Sequence, residues 1–272
     1  MSKKKLDSGL TDKGQLRLRV FAGPNGSGKS TVIDQVRKVK VNGRAIDFGY
    51  YINADNIGRE LVKGSFHFDK FDIHTTAEEF SETALRSGLI NEDYTESAFR
   101  KSFSLSKNIL DLTLPEFSER LAQVTADFLR KKLLEEKKKF SFETVFSHPS
   151  KLDIMHAAFD SGYKVYLYFV STESPTINKF RVEARKRKGG HDVPPDKIDS
   201  RYYRSLELLY EACQRAYQVF FFDNSEDGID SVLFAHFKMV KGKKKWDAIN
   251  KKAVPQWFKK YYSAKVGKTE QD

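Results

Sequence analysis

The stretch GPNGSGKS at positions 23–30 decides the fold, because it fits the pattern G-x-x-x-x-G-K-[ST] without a gap. Before it, the apolar residues Leu16, Leu18 and Val20 alternate with polar ones and predict a strand. After it, residues 31–39 continue as a predicted helix. A strand, a glycine-rich turn and a helix in this order are typical of a loop that encloses phosphate oxygens with backbone amides.

Each part of this loop has an expected role in binding ATP and Mg²⁺. Lys29 is predicted to bridge the β- and γ-phosphates, and the Ser30 hydroxyl to ligate Mg²⁺. The other predicted nucleotide-binding residues are Gly23, Asn25, Gly26, Ser27, Gly28 and Thr31. The base-reading tetrapeptide N-K-x-D of G proteins is absent from the sequence, which disfavours a GTPase. The loop alone does not separate a kinase from other nucleotide triphosphatases.

The composition is that of a globular protein. Of the 272 residues, 39% are hydrophobic and 31% are charged, and the charges are spread along the chain. The longest apolar run, 163–170, is far too short to cross a bilayer, and no apolar stretch follows the lysines of residues 1–8. Cys213 is the single cysteine, which excludes an internal disulfide and a cysteine-based zinc site. We therefore expect a cytoplasmic protein without a membrane partner.

Strands and helices alternate along the sequence, which predicts an α/β fold with a mainly parallel sheet flanked by helices. Beyond the first strand and helix, we expect strands at 50–53, 140–146, 163–170, 219–222 and 231–240. We expect helices at 115–138, 151–160, 174–188 and 196–217.

The stretch 64–114 has weaker patterns and is predicted to be a helical insertion, with helices near 76–86 and 96–104. We place a kinase-like domain at 14–240, including this insertion, and a basic C-terminal segment at 241–272.

Two carboxylates follow or occupy predicted strands and are candidates for proton transfer and substrate binding. Asp55 comes just after the second strand, at the sheet edge where ligands collect, and a kinase needs a carboxylate near the acceptor oxygen. The alternative is that Asp55 only caps a helix starting at Asn56. Glu143 lies among phenylalanines, where an unpaired charge is costly. Its alternative is an edge strand on which Glu143 faces water.

Arginines on two predicted helices suggest a lid over phosphates. Arg181 and Arg185 are four residues apart, and Arg201 and Arg204 are three apart, so each pair shares a helix face. The Gly189–Gly190 pair between the two helices supplies flexible backbone. Such arginines would neutralise charge in a transition state and exclude water. Solvated surface charge is the alternative.

His191, in the loop between these helices, is a weaker candidate for substrate contact.

The net charge of +11 admits nucleic acid as an alternative partner. Lysines and aromatic residues are interleaved along 243–262, and aromatic rings beside lysines can stack on bases. No recognised nucleic-acid-reading motif accompanies them, so the nucleic-acid hypothesis remains second.

Five motifs together resemble the zeta toxin family of P-loop kinases. They are GPNGSGKST (23–31), INADNI (52–57), FSFETVFS (140–147), SPTINKFRVEARKRKGGHDVP (174–194) and IDSRYYRSL (198–206). The resemblance implies a fold like that of nucleotide kinases and phosphorylation of a sugar hydroxyl of UDP-N-acetylglucosamine. A third hypothesis, besides the kinase and the nucleic-acid protein, is an ATP-binding interaction module, for example a toxin-like protein that an antitoxin partner neutralises.

The resemblance also implies residue roles. Asp55 becomes the expected base, and Glu143 and Thr144 are expected to line the substrate cleft. Arg185 with Arg201 or Arg204 are the expected lid arginines, with Arg181 behind them. The stretch 64–114 is longer than the family pattern and lies where the acceptor should bind, so the nature of the acceptor stays open.

Overall fold

The computed structural model describes residues 14–189, 193–250 and 253–269. Within these ranges a seven-stranded sheet forms the centre of the protein. In spatial order its strands are β12 (Lys243–Ile249), β11 (Val232–Val240), β10 (Gln218–Asp223), β9 (Lys164–Ser171), β1 (Arg17–Ala22), β8 (Phe140–Thr144) and β4 (Tyr50–Ile52). The five strands from β10 to β4 are parallel, and β11 and β12 continue the sheet as antiparallel strands.

The predicted α/β fold with a mainly parallel sheet flanked by helices is confirmed. The helices are α1 (Lys29–Lys38), α2 (Ala54–Lys63), α3 (Ala77–Leu85), α4 (Glu96–Lys101), α5 (Ser118–Glu135), α6 (Ser150–Asp160), α7 (Pro175–Arg187), α8 (Pro195–Glu207), α9 (Leu209–Gln214), α10 (Gln256–Phe258) and α11 (Ala264–Thr269). The helix predicted over 196–217 is two helices, because α8 ends at Glu207 and α9 begins at Leu209. A short hairpin of β2 (Lys40–Val41) and β3 (Arg44–Ala45) precedes β4.

The two faces of the sheet are covered by different helices. Successive side chains of a strand point to opposite faces, and β1 follows this rule. Val20 packs in the larger core with Leu129 of α5. Phe21 packs in a smaller core with Val32 of α1. Since both faces are covered, the parallel strands present their carboxyl ends at one edge, where a site can form.

The prediction of a helical insertion at 64–114 is wrong in part. Helices α3 and α4 are present, but a three-stranded antiparallel sheet accompanies them, in the order β5 (Ser65–His67), β7 (Ile109–Leu112) and β6 (Phe103–Ser106). Its aromatic side chains are buried against α5: the ring centroids of Phe80 and Phe128 lie 5.2 Å apart. The stretch therefore shares the larger core with the central sheet.

The basic C-terminal segment placed at 241–272 begins with β12, which continues the central sheet by pairing with β11. Its aromatic residues Trp257, Phe258 and Tyr262 are 2–4% exposed and pack in the larger core. Side chains this deeply buried offer no open faces to bases. The suggestion that the lysine–aromatic segment is a base-stacking surface is therefore wrong for these three rings.

No helix in the described part of the chain combines the length and apolar character needed to cross a bilayer.

Candidate active site

The loop between β1 and α1 has a backbone that only glycine fits at three positions. Gly23, Gly26 and Gly28 have φ values of 147°, 75° and 91°, in the region that disfavours other residues. Neighbouring atoms also leave no room for a side chain. A Cβ on Gly23 would lie 2.0 Å from the Val170 carbonyl oxygen, and one on Gly28 would lie 2.1 Å from Nδ2 of Asn224. The glycines predicted from the motif are thus required by geometry.

Two side-chain amides from other parts of the chain hold this loop. Nδ2 of Asn178, on α7, donates to the Asn25 carbonyl at 2.6 Å. Nδ2 of Asn224, just after β10, donates to the Ser27 carbonyl at 2.9 Å. Thr172 in turn donates to Oδ1 of Asn178, which fixes the orientation of that amide. Neither asparagine was predicted from the sequence, because nothing local to them points to residues 150 to 200 positions away.

Lys29 lies across the loop and is 7% exposed. Its Nζ donates to the carbonyl oxygens of Gly23 and Pro24, each at 2.9 Å. Burial lowers the pKa of Lys29, and the nearby carboxylates of Glu143 and Asp55 oppose that shift. The lysine is therefore bonded to the loop and interacts electrostatically with the two carboxylates that the sequence singled out.

The loop fits a phosphate chain on two further observations. Oγ of Ser27 and Oδ1 of Asn25 are buried and have no hydrogen-bond partner among the described residues. Buried polar atoms without partners are rare in proteins and indicate a missing ligand or water. In addition, the N-cap of α1 is Gly28, which has no side chain to accept from the first amides of that helix. Ser30 and Thr31 are exposed beside them, as a Mg²⁺-linked nucleotide would require.

Asp55 does not cap its helix. Helix α2 begins at Ala54, and Asn53 caps it by accepting a hydrogen bond from the Asn56 N–H at 3.1 Å. The alternative role considered for Asp55 is therefore wrong. Its carboxylate is exposed in the first turn of α2 and makes no hydrogen bond with any residue in the described ranges. The group is thus open to a ligand.

Glu143 lies on β8, between β1 and β4 in the sheet interior, so the edge-strand alternative is wrong. Its Oε2 accepts hydrogen bonds from Asn53 Nδ2 at 3.0 Å and from the Tyr51 hydroxyl at 3.2 Å. Burial, together with the Glu143 charge, raises the pKa of Tyr51, so that phenol remains a donor at neutral pH. Asn53 therefore caps α2 with one atom and orients Glu143 with another, which holds the two candidate carboxylates in fixed relation.

These elements enclose a cavity of about 270 Å³ at the carboxyl ends of the parallel strands. We call it the central cavity. Its lining includes eight residues predicted from the sequence: Asn25, Gly26, Lys29, Asp55, Glu143, Thr144, Arg185 and Arg201. It also includes polar or charged residues that the sequence analysis did not single out: Asn53, Gln123, Arg130, Ser147, His148 and Lys151.

Thr144 contributes through the backbone as well. Its Oγ1 accepts from the Phe146 N–H at 3.2 Å, and Phe146 has a φ of 61°, which is uncommon for a bulky residue. This turn at the end of β8 leads the chain through Ser147 and His148 along the cavity. Strained backbone of this kind concentrates at functional sites.

Two predicted arginines lie outside the central cavity. Arg181 forms an ion pair with Asp227 at 2.5 Å and donates to the Asn224 carbonyl at 2.6 Å. It therefore holds the loop that carries Asn224 rather than contacting the cavity. Arg204 is exposed on α8, and its charge acts electrostatically on Arg201. Burial, and then the charge of Arg204, lowers the pKa of Arg201. The predicted residue His191 lies outside the described residues.

Arg130 and Lys151 are the most informative residues that sequence analysis missed. Arg130 is 6% exposed and pairs with Asp127 at 3.0 Å. Burial is the main cause that lowers the pKa of Lys151 to about 7. In the sequence, Arg130 begins the run Arg-Lys-Lys on a charged helix, and Lys151 follows a Pro-Ser pair. Both patterns are typical of solvated surface charge, so no local signal marked them.

The fold and the loop define a class: an α/β protein with a phosphate-binding loop between its first strand and first helix. No protein-family model matches the chain, and no curated protein matches its sequence. Among solved structures, the chain is similar to the crystal structure of AvrRxo1-ORF1:-ORF2 with ATP, at 15% identity and a TM-score of 0.50. The alignment covers 87% of this chain and 62% of the other, so this chain spans about three fifths of that neighbour. The likeness shows a shared fold.

A second solved structure with similarity comes from a study of the PezAT chromosomal toxin-antitoxin system of Streptococcus pneumoniae. It has 13% identity, a TM-score of 0.44 and coverage of 80% of this chain and 72% of the other.

Proposed function

We propose that this protein is a kinase that transfers the γ-phosphate of ATP, with Mg²⁺, to a hydroxyl group of a small molecule. One observation carries the proposal: Lys29 of the phosphate-binding loop, the carboxylates of Asp55 and Glu143, and Arg185 and Arg201 all line one cavity. Phosphoryl transfer needs positioning and charge stabilisation more than covalent chemistry, and this set supplies both. The solved neighbour AvrRxo1-ORF1:-ORF2 contains ATP, which supports ATP as donor.

The residues divide into donor and acceptor roles. The loop amides and Lys29 would hold the β- and γ-phosphates, and Ser30 would ligate Mg²⁺. Asp55 would accept the proton of the acceptor hydroxyl while the hydroxyl oxygen bonds to the γ-phosphorus. The bond from that phosphorus to the bridging oxygen breaks, and ADP leaves with the electron pair. Arg185 and Arg201 would stabilise the charge on the transferred group.

Glu143 has a positioning role in this scheme. Two donors orient it, Tyr51 and Asn53, and it belongs to the electrostatic surroundings of Lys29. We propose that it keeps Lys29 charged and orients the acceptor or the water shell of Mg²⁺, while Thr144 shapes the adjoining turn.

A UDP-amino-sugar such as UDP-N-acetylglucosamine is the first acceptor to test, on the strength of the motif resemblance to zeta toxins. The experiment is incubation with γ-labelled ATP and Mg²⁺ and a panel of sugar nucleotides, nucleosides and RNA, followed by separation of the labelled products. We expect label on one small-molecule class, and none with Lys29→Met. A small-molecule kinase would be contradicted if only RNA became labelled. It would also be contradicted if the release of labelled phosphate were the same with every acceptor.

We also propose a protein partner. The AvrRxo1 structure is a complex of the ORF1 and ORF2 products, which supports testing this chain for an antitoxin-like partner. Copurification of a small protein that inhibits phosphoryl transfer is the expected result, and full activity in its presence would argue against the role.

A further inference from the structure

The central cavity contains two separate positive centres. The charges that act on Lys29 are those of Glu143, Asp55 and Arg185. The charges that act on Lys151 belong to a different set, Arg130, Asp127 and Lys131. The contacts agree with this division. Lys29 bonds to carbonyl oxygens of the loop, whereas Arg130 pairs with Asp127 on α5 and Lys151 lies on α6. The cavity that they line therefore has one cationic centre at the loop and another between α5 and α6.

The second centre has more positive than negative charge. Among the described residues whose charges act on Lys151, Asp127 is the one carboxylate. Both oxygens of Asp127 are already engaged, Oδ1 by Arg130 at 3.0 Å and Oδ2 by Lys131 at 2.7 Å. The ammonium of Lys151, which also lines the cavity, forms no hydrogen bond or ion pair with any residue that the structure describes. Three cations therefore share a single counter-charge.

Arg130 also has unused hydrogen-bond donors. A guanidinium carries five N–H groups, and the hydrogen bond from its Nη2 to Asp127 is the one Arg130 makes with described residues. The group lies over the ring of Phe142, with Cζ 5.2 Å from the ring centroid, which fixes its plane. A buried arginine with a fixed plane and free donors beside a cavity is suited to an oxyanion with several acceptor oxygens.

We propose that Arg130 and Lys151 bind a phosphate group of the acceptor, so that the substrate class is a phosphorylated alcohol. The inference rests on the proposed kinase function and deepens it. The acceptor would extend across the central cavity, with its phosphate between α5 and α6 and its reacting hydroxyl beside Asp55. A nucleotide sugar meets this requirement through its diphosphate, whereas a free sugar or a nucleoside does not.

The protonation of Lys151 is consistent with this role. Burial is the main cause that lowers the pKa of Lys151 to about 7, and Arg130 and Lys131 add to the effect. A bound anion would offset both causes and favour the charged lysine. His148 lines the same cavity from the loop before α6, with its Nδ1 2.9 Å from the Ser150 hydroxyl.

The test uses protein saturated with Mg²⁺ and the non-hydrolysable ATP analogue AMPPNP, which fills the donor site including its γ-position. Inorganic phosphate is then titrated by calorimetry at about pH 6.5, where Lys151 is charged. The variants are Lys151→Met, Lys151→Arg and Arg130→Gln, and the control is Lys38→Met, an exposed lysine on the last turn of α1. Among the described residues, the Lys151 ammonium has no hydrogen bond or ion pair to lose, so Lys151→Met tests the proposal even if Arg130→Gln does not fold.

We expect phosphate to bind wild type and Lys38→Met alike. Binding should weaken at least about tenfold in Lys151→Met and Arg130→Gln, the size of one lost charge-assisted contact. It should be largely kept in Lys151→Arg. The inference is overturned if phosphate binds all variants equally well or does not bind wild type. The AMPPNP titration tests the kinase proposal separately, because it measures binding at the donor site. Loss of AMPPNP affinity in Lys151→Met would also overturn it, by placing the lysine at the donor phosphates.

A second arm separates an acceptor's phosphate from free phosphate as the natural ligand. Inorganic phosphate should inhibit transfer competitively against the labelled acceptor and raise its KM without changing kcat. Activation, or inhibition that does not compete with the acceptor, would assign the centre to a regulatory anion and contradict the proposal.

Discussion

The side-chain amide of Asn224 donates to the Ser27 carbonyl at 2.9 Å, and this bond joins the end of β10 to the phosphate-binding loop. The replacement Asn224→Asp keeps the size of the side chain but removes the donor and adds a negative charge beside the loop. A lost hydrogen bond of this kind costs about 1–2 kcal/mol, so ATP should bind about five- to thirtyfold more weakly. Calorimetric titration with Mg²⁺–ATP measures the change.

The matched control is Asn91→Asp, in the insertion, where the replaced side chain accepts a hydrogen bond from the Asp93 N–H and an aspartate can do the same. If Asn224→Asp and Asn91→Asp bind ATP equally well, the bond from Asn224 does not support the loop.

Gly28 should tolerate no side chain. In Gly28→Ala, the added Cβ meets Nδ2 of Asn224 at 2.1 Å and the residue must keep a φ of 91°. Strained backbone alone costs about 1–3 kcal/mol, so ATP affinity should fall at least about tenfold. Gly43→Ala is the control, since Gly43 has a similar φ of 76° and nothing within 4 Å of an added Cβ. Equal ATP affinity in the two variants would show that the clash at Gly28 is relieved without loss.

Local patterns predicted the phosphate-binding loop, the parallel strands and most of the helices. The reason is physical: glycine spacing, strand alternation and helical periodicity are properties of neighbouring residues. Asp55 and Glu143 were found for the same reason, because each stands at or near the end of a recognisable strand. The sequence alone could not identify Asn53 as the residue that caps α2. That assignment decides whether Asp55 is a cap or a free carboxylate.

Contacts between distant segments were beyond prediction. Asn178 and Asn224 support the loop from other elements, and the Arg130–Lys151 centre forms only when α5 and α6 pack at the end of β8. In the insertion, β6 and β7 have four residues each, too few for alternation to stand out from helical patches. Along 241–272 the lysines obscured a strand and a buried aromatic cluster.

Asp55 should be needed for transfer and not for ATP binding. Its carboxylate is exposed in the cavity, and Asn53 already caps its helix. Loss of a general base lowers rates about 10²–10⁴-fold, so Asp55→Asn should lower kcat by that order while the ATP affinity stays within about twofold. Asp34→Asn is the control, because Asp34 is an exposed carboxylate on α1 paired with Arg37 at 3.6 Å. Normal phosphoryl transfer by Asp55→Asn would remove this residue from the mechanism.

Two arginines of α7, Arg181 and Arg185, should affect different kinetic constants. Arg185 lines the central cavity and acts electrostatically on Lys29, so Arg185→Ala should lower kcat about 10²–10³-fold, as loss of a transition-state donor does. Arg181 instead holds the loop of Asn224 and Asp227. Arg181→Ala should therefore raise the KM for ATP severalfold and leave kcat near the wild-type value. A fall in kcat with unchanged KM in Arg181→Ala would place this arginine at the reacting phosphate after all.

Lys151 should make the stability of the protein depend on pH in a predictable direction. Burial, followed by Arg130, lowers the pKa of Lys151 to about 7 in the folded protein, whereas a lysine in the unfolded chain has a pKa of about 10.4. Between these values the unfolded state binds more protons than the folded state, so this residue makes stability rise with pH. Below pH 7 the lysine is charged in both states, and the folded protein has the full unfavourable energy of its burial near Arg130.

Removing the charge should therefore stabilise the protein at low pH and matter little at high pH. We expect Lys151→Met to unfold at higher urea concentration than wild type at about pH 6.5, with a difference that shrinks steadily towards about pH 10. Lys38→Met, an exposed lysine, should give a difference that does not change with pH. If the stability difference between Lys151→Met and wild type does not change with pH, as expected for Lys38→Met, Lys151 does not carry a buried, destabilising charge. In that case Lys151 would be a solvated lysine, and the cationic centre between α5 and α6 would consist of Arg130 alone.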